Sequence, residues 1–138
     1  MQPDDPICHG LPHREPFIFI DSVREVSEDG KAICFKRFSG AELFFRGHFP
    51  GEPLVPGVIL SEALAQTAGI AAGRGTTGKS YRLSAIKQMK FLRPVRPGDG
   101  IQLEALRIAE VGNLLQFQVS ATVAGEAVAE GVIVLNAV

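Results

Sequence analysis

The chain has 138 residues, 46% of them apolar and 21% charged, and a net charge of −1 from 14 basic and 15 acidic side chains. That length holds one core and not two, the apolar content excludes disorder over most of the chain, and the charge balance lacks the basic excess of a nucleic-acid binder. Two cysteines, Cys8 and Cys34, make no disulfide framework. Asp4 and Asp5 stand where a signal peptide is basic, and no apolar run reaches membrane-spanning length. The expectation is a cytoplasmic protein in a reducing compartment, with no membrane span and no nucleic-acid partner.

Residues 1–10, rich in Pro and polar side chains, read as a loosely held leader to a single domain over residues 11–138. From Pro16 the pattern turns strand-like through residues 17–26. Asp29-Gly30 supplies hairpin chemistry, and residues 31–38 give a second strand. Residues 39–55 form a loop dense in Gly, Pro and Phe. Residues 56–72, PGVILSEALAQTAGIAA, predict one helix opened by Pro56. At 1.5 Å per residue it is roughly 25 Å long. Its positions are almost all apolar or small, which predicts burial on every side. The Gly/Thr stretch at residues 73–78 ends it. Four β-rich runs follow at residues 81–91, 100–109, 113–123 and 126–135, separated by turn residues. Ile101 and Leu103, and Leu115, Phe117 and Val119, alternate as a half-buried strand does. One helix among six strands predicts an α+β roll: a curved antiparallel sheet around a long central helix.

The chemistry concentrates in residues 44–66, FFRGHFPGEPLVPGVILSEALAQ. His48 sits in a Gly-His-Phe-Pro-Gly turn that fixes its backbone and partly desolvates its ring, suiting a proton carrier near neutral pH. Glu62 lies mid-helix with Val58, Ile59, Ala65, Gln66 and Gly69 on its face. A carboxylate there is expensive to keep charged unless paired, so burial favours its protonated form. Gln66, one turn on, is placed to orient it. Gly57 stands at the helix start, where unpaired N–H groups and the positive dipole end suit an oxygen gaining negative charge. Each residue alone admits a plainer role: a loop histidine bonded to a carbonyl, a carboxylate reaching the helix rim, a glycine for a tight turn. Cys8 and His9 of the leader, with His13 just beyond it, do not amount to a metal site, and neither metal nor cofactor is expected. There is no nucleophile elbow, phosphate loop or dinucleotide fingerprint. Residues 74–96 carry seven bases and no acid, a strip whose plain reading is a solvated face.

With its Gly-His-Phe-Pro-Gly, Pro-Gly-Val, Glu-Ala and Ala-Gln segments in order over residues 47–66, the chain resembles the (3R)-hydroxyacyl-acyl-carrier-protein dehydratase family. Leu11-Pro12-His13-Arg14 with Pro16-Phe17 resembles the family's opening. Lys90-Phe91, Arg93-Pro94-Val95 and Pro97-Gly98-Asp99 resemble its segment after the helix. The resemblance implies a hot-dog fold and a working dimer, often assembled as a trimer of dimers, with the active site at the subunit interface. It assigns the catalytic pair to His48 and Glu62 from opposite subunits, the carbonyl-polarising N–H to Gly57 and the steadying glutamine to Gln66. Phe49 and Val58 join the substrate surface, with Phe49 and Tyr81 as candidate gates. The implied reaction is loss of water from a 3-hydroxyacyl thioester on a phosphopantetheine arm in fatty-acid synthesis. Glu62, where the dehydratase/isomerase branch carries Asp, points to the dehydratase-only branch. Lys87, Lys90, Arg93 and Arg96 become candidates for docking the acidic acyl carrier protein.

Three positions depart from the family pattern: Glu15 for an aromatic, Ala41 for Asn and Val55 for Met. None touches the acid/base pair. They bear on the acyl tunnel, and so keep a specialised dehydratase of a polyketide or polyene pathway as an alternative. A hot-dog thioesterase ranks lower, because such enzymes place the carboxylate differently and lack the His-Phe-Pro-Gly segment. A non-catalytic acyl-binding subunit has no need of both His48 and Glu62.

Overall fold

The computed structural model describes residues 4–73 and 79–138. Residues 1–3 of the leader, and residues 74–78, which include Arg74 of the basic strip and most of the stretch expected to end the helix, lie outside the described residues.

Among the described residues, six strands and one α-helix make up the fold. In chain order they are β1 (Ser22–Ser27), β2 (Lys31–Lys36), α1 (Gly57–Ala71), β3 (Tyr81–Phe91), β4 (Ile101–Val111), β5 (Leu114–Val123) and β6 (Glu126–Ala137). Every pairing is antiparallel, and the sheet runs β1-β2-β4-β5-β6-β3. α1 lies against the sheet and touches all six strands. The period-two alternation holds where it was expected: Ile101, Leu103, Leu115, Phe117 and Val119 all point into the core. They meet Leu60, Leu64, Ala68 and Ile70 of α1. Burying such apolar side chains contributes about 1.5–3 kcal/mol each. This is the hot-dog arrangement, a long helix wrapped by one curved sheet.

Four local expectations differ. The first strand begins at Ser22, not near Phe17, because Phe19 N–H donates to the Gln66 side chain instead of joining a ladder. Ile18, Phe19 and Ile20 therefore run beneath the helix as a buried strap. The leader is tied down from Asp4: Val23 N–H donates to Asp4 O at 2.6 Å. Pro6–His9 then form a 3-10 turn capped by Asp5. The loop over residues 39–55 holds a second 3-10 turn, Leu43–Arg46, which sends Phe45 into the core beside Phe38. Finally, α1 is not buried all round: Val58, in its first turn, is 77% exposed.

β3 is unlike the other long strands. Among the described residues it pairs only with β6, and most of its 11 residues are exposed, including Leu83, Ile86 and Phe91. It bulges between Lys87 and Lys90, with Gln88 at φ 53°. Gly131 of β6 accommodates that bulge: a Cβ there would lie 2.8 Å from Met89 Cα.

Candidate active site

The loop before α1 presents His48. Leu54 N–H donates to His48 O at 2.9 Å, which closes residues 48–54 on themselves, and Val55 N–H donates to Val95 O at 2.7 Å, which ties them to the segment after β3. Nδ1 of His48 lies 3.1 Å from Leu54 O. A carbonyl only accepts, so Nδ1 carries the hydrogen, and in the neutral ring Nε2 keeps its lone pair. The ring stacks on Phe49 at a centroid distance of 4.1 Å. His48 lines a cavity of about 300 Å³ with Gly57, Leu60 and Phe91–Val95 of the β3 exit. Gly57 opens α1 with Pro56 as its N-cap, and among the described residues its N–H has no backbone acceptor. The Phe91 ring also needs this glycine, since a Cβ on Gly57 would sit 2.9 Å from it. An imidazole base and a free N–H therefore share one apolar recess.

Glu62 faces another direction. It lies five residues along α1 from Gly57, about 7.5 Å of rise and roughly 140° of rotation. Its cavity, about 440 Å³, is lined by Leu11, His13, Gln66, Gly69, Tyr81 and Leu83 among others. Gln66, 1% exposed, is held from two sides: Phe19 N–H donates to its Oε1, and its Nε2 donates to Phe17 O. With the amide so fixed, Nε2 also donates to Glu62 Oε2 at 3.0 Å. His13 Nε2 stands 3.5 Å from the same oxygen. The sequence offered His13 only as part of an opening motif and a rejected metal group. No periodicity links residues 13 and 62, so its place beside Glu62 was not readable there. Tyr81, which also lines this cavity, donates to Ala72 O at 3.4 Å.

Within one chain, then, His48 with Gly57 and Glu62 with Gln66 line separate cavities. Phe49 and Val58 are exposed beside the His48 recess and the helix start. Lys87, Lys90, Arg93 and Arg96 are exposed as well. Arg93 is paired with Glu126 at 2.5 Å and Arg96 with Glu52 at 3.8 Å. Among the described residues no group of three metal-ligating side chains gathers, and no helix is long and apolar enough to cross a membrane.

The family model described as ApeI-like, ApeI dehydratase, matches residues 24–132. A 3-hydroxyacyl-[acyl-carrier-protein] dehydratase FabZ from Acetivibrio thermocellus is 44% identical over 123 residues, covering 88% of this chain and 84% of that protein. The protein of the same name from Sinorhizobium medicae is 40% identical over 122 residues, covering 87% of this chain and 79% of the relative. In fold, the chain is similar to the dehydratase heterocomplex ApeI:P of Xenorhabdus doucetiae, with a TM-score of 0.80 at 16% identity over 97% of this chain and 91% of that one. It is also similar to a hypothetical thioesterase with coenzyme A from Streptococcus pneumoniae, with a TM-score of 0.69 at 12% identity over 85% and 84% of the two chains. Sequence and fold agree: the chain belongs to the hot-dog 3-hydroxyacyl-[acyl-carrier-protein] dehydratases, the FabZ and ApeI-like family.

Proposed function

We propose that the chain converts (3R)-3-hydroxyacyl-acyl-carrier-protein thioesters to trans-2-enoyl thioesters in the cytoplasm. It acts as a dimer in which each active site takes His48 and Gly57 from one subunit and Glu62 and Gln66 from the other. One observation carries the reading: the two half-sites lie at opposite ends of the same exposed edge strand. The Glu62 cavity is lined by Tyr81, Arg82 and Leu83, and the His48 cavity by Phe91. Antiparallel pairing of two β3 edges about a two-fold axis near Ile86 sets the start of one strand beside the end of the other. Each Glu62 cavity then abuts the partner's His48 recess, and the exposed edge is covered.

The residues divide the reaction as follows. Gly57 N–H donates to the thioester oxygen and stabilises it as negative charge develops. His48 Nε2 removes the C2 proton, and the electrons of that bond form the C2–C3 double bond. Glu62, in its acid form, protonates the departing 3-hydroxyl, which leaves as water. Each acid/base group contributes about 10²–10⁴ in rate. Exposed Lys87, Lys90, Arg93 and Arg96 attract the acidic carrier. The departures at Glu15, Ala41 and Val55 favour a second reading, a dehydratase of a specialised acyl pathway with the same chemistry on a different acyl group.

The test is mass analysis of a 3-hydroxyacyl carrier-protein substrate, alone and with paired variants. Enoyl product from the wild-type chain supports dehydration; free acid indicates a thioesterase, and no turnover a binding subunit. A set of acyl groups separates fatty from specialised substrates. His48→Ala and Glu62→Gln are each expected to be nearly inactive. Co-expressed, they form hybrid dimers with one intact site and recover about a quarter of wild-type activity at statistical mixing. No recovery sinks the divided site.

A further inference from the structure

We infer that His13 is a positioning residue for Glu62: together with Gln66 it holds Oε2 as an acceptor, so that the transferable proton resides on Oε1. The inference rests on the proposed acid role of Glu62. Gln66 cannot be turned around, because its Oε1 already accepts from Phe19 N–H and its Nε2 donates to Phe17 O. Glu62 Oε2 must therefore accept from Gln66 Nε2. His13 Nε2 lies 3.5 Å from that same oxygen, a contact that closes to a hydrogen bond on a small ring rotation.

The other nitrogen of His13 fixes which tautomer is present. Nδ1 is buried and has no hydrogen-bond partner among the described residues. An N–H there would be an orphaned buried donor, a rarer and costlier defect than a bare lone pair. The imidazolium would have the same fault. The neutral ring with hydrogen on Nε2 leaves only a lone pair unmatched and aims its N–H at Glu62. Stacking on Phe17, at a centroid distance of 5.9 Å, keeps the ring in place. Oε2 then receives two N–H donors and has no room for a proton of its own. Oε1 has no protein partner among the described residues and is not among the buried unpaired atoms. It belongs to a side chain that lines the cavity, so an acid proton on Oε1 is the one a substrate hydroxyl meets.

Two measurements on the full chain test this. In protein carrying ¹⁵N-labelled histidine, His13 Nε2 should resonate as a pyrrole-type nitrogen and Nδ1 as a bare pyridine-type one. A protonated Nδ1, in either the other tautomer or the imidazolium, overturns the inference, and this readout does not depend on turnover. In the dehydration assay, His13→Phe should lower kcat by about tenfold with KM little changed, the worth of one lost hydrogen bond. His13→Gln, whose amide nitrogen falls near the position of Nε2, should restore kcat to within a few-fold of wild type. Equal kcat in wild type and His13→Phe, or equal loss in the Phe and Gln variants, overturns it. A wild-type chain that does not dehydrate removes the proposed reaction while the ¹⁵N result still decides the tautomer.

Discussion

Cys34, on β2 under the helix, illustrates what burial does to a single group. Burial pushes its thiol up to about 12 from 9.0, against the weaker downward pull of a hydrogen bond with Thr67. The unfolded chain releases this proton first, so the stability from the neutral thiol is whole below about 9 and is lost as pH rises toward 12. Urea midpoints measured from pH 7 to pH 11 should fall more steeply for wild type than for Cys34→Ala. The same thiol should resist thiol reagents in the native state, while exposed Cys8 reacts. Gln66 works by connection. Gln66→Leu strands the Phe19 N–H and frees Glu62 Oε2, and should cost about 1–3 kcal/mol in denaturant unfolding together with a fall in kcat. At this scale the sequence was readable where chemistry is unusual for its setting. A histidine between Gly and Phe-Pro, and a carboxylate on an apolar helix, stood out at His48 and Glu62. His13 did not, since nothing local to it announces a partner 49 positions on. Gly57 concealed a second reason for being glycine, the Phe91 ring packed against it.

Among the elements, α1 was legible as one long run of apolar and small residues opened by Pro56, and the four strands after it as β-rich runs cut by turn residues. The segment over residues 17–20 was not. An apolar run of Phe and Ile has the composition of a strand, and its use as a strap was decided by Gln66, far along the chain. β3 was recognisable as a strand, but its one-sided pairing was not, because edge position depends on the order of strands in the sheet. That order leaves β3 as a long edge on which Leu83, Ile86 and Phe91 are exposed. Such an edge invites pairing. Ile86→Lys sets two ammonium groups near each other at the proposed two-fold axis, where like charges oppose association. The variant should sediment at monomer mass in velocity runs where wild type sediments as a dimer, and should lose more than tenfold in turnover while keeping its far-ultraviolet circular dichroism. An active monomer would contradict β3 as the seam.

On the scale of the whole molecule, charge and site location combine. The net charge is close to zero, yet Arg93 and Arg96 lie where β3 leaves the sheet, and Arg93 lines the His48 recess. Reversing both to Glu should raise KM for carrier-bound substrate severalfold and leave turnover of a short pantetheine thioester unchanged, with the wild-type preference shrinking as salt is added. An equal effect on both substrates would assign these arginines a structural role. The proposed division of the site between two subunits carries an evolutionary corollary as well. After gene duplication, one copy can lose its imidazole and the other its carboxyl without loss of the reaction, provided the two products associate. Neither copy then works alone, each depends on the other for turnover, and a pair of superficially defective paralogues is kept together by a single shared edge.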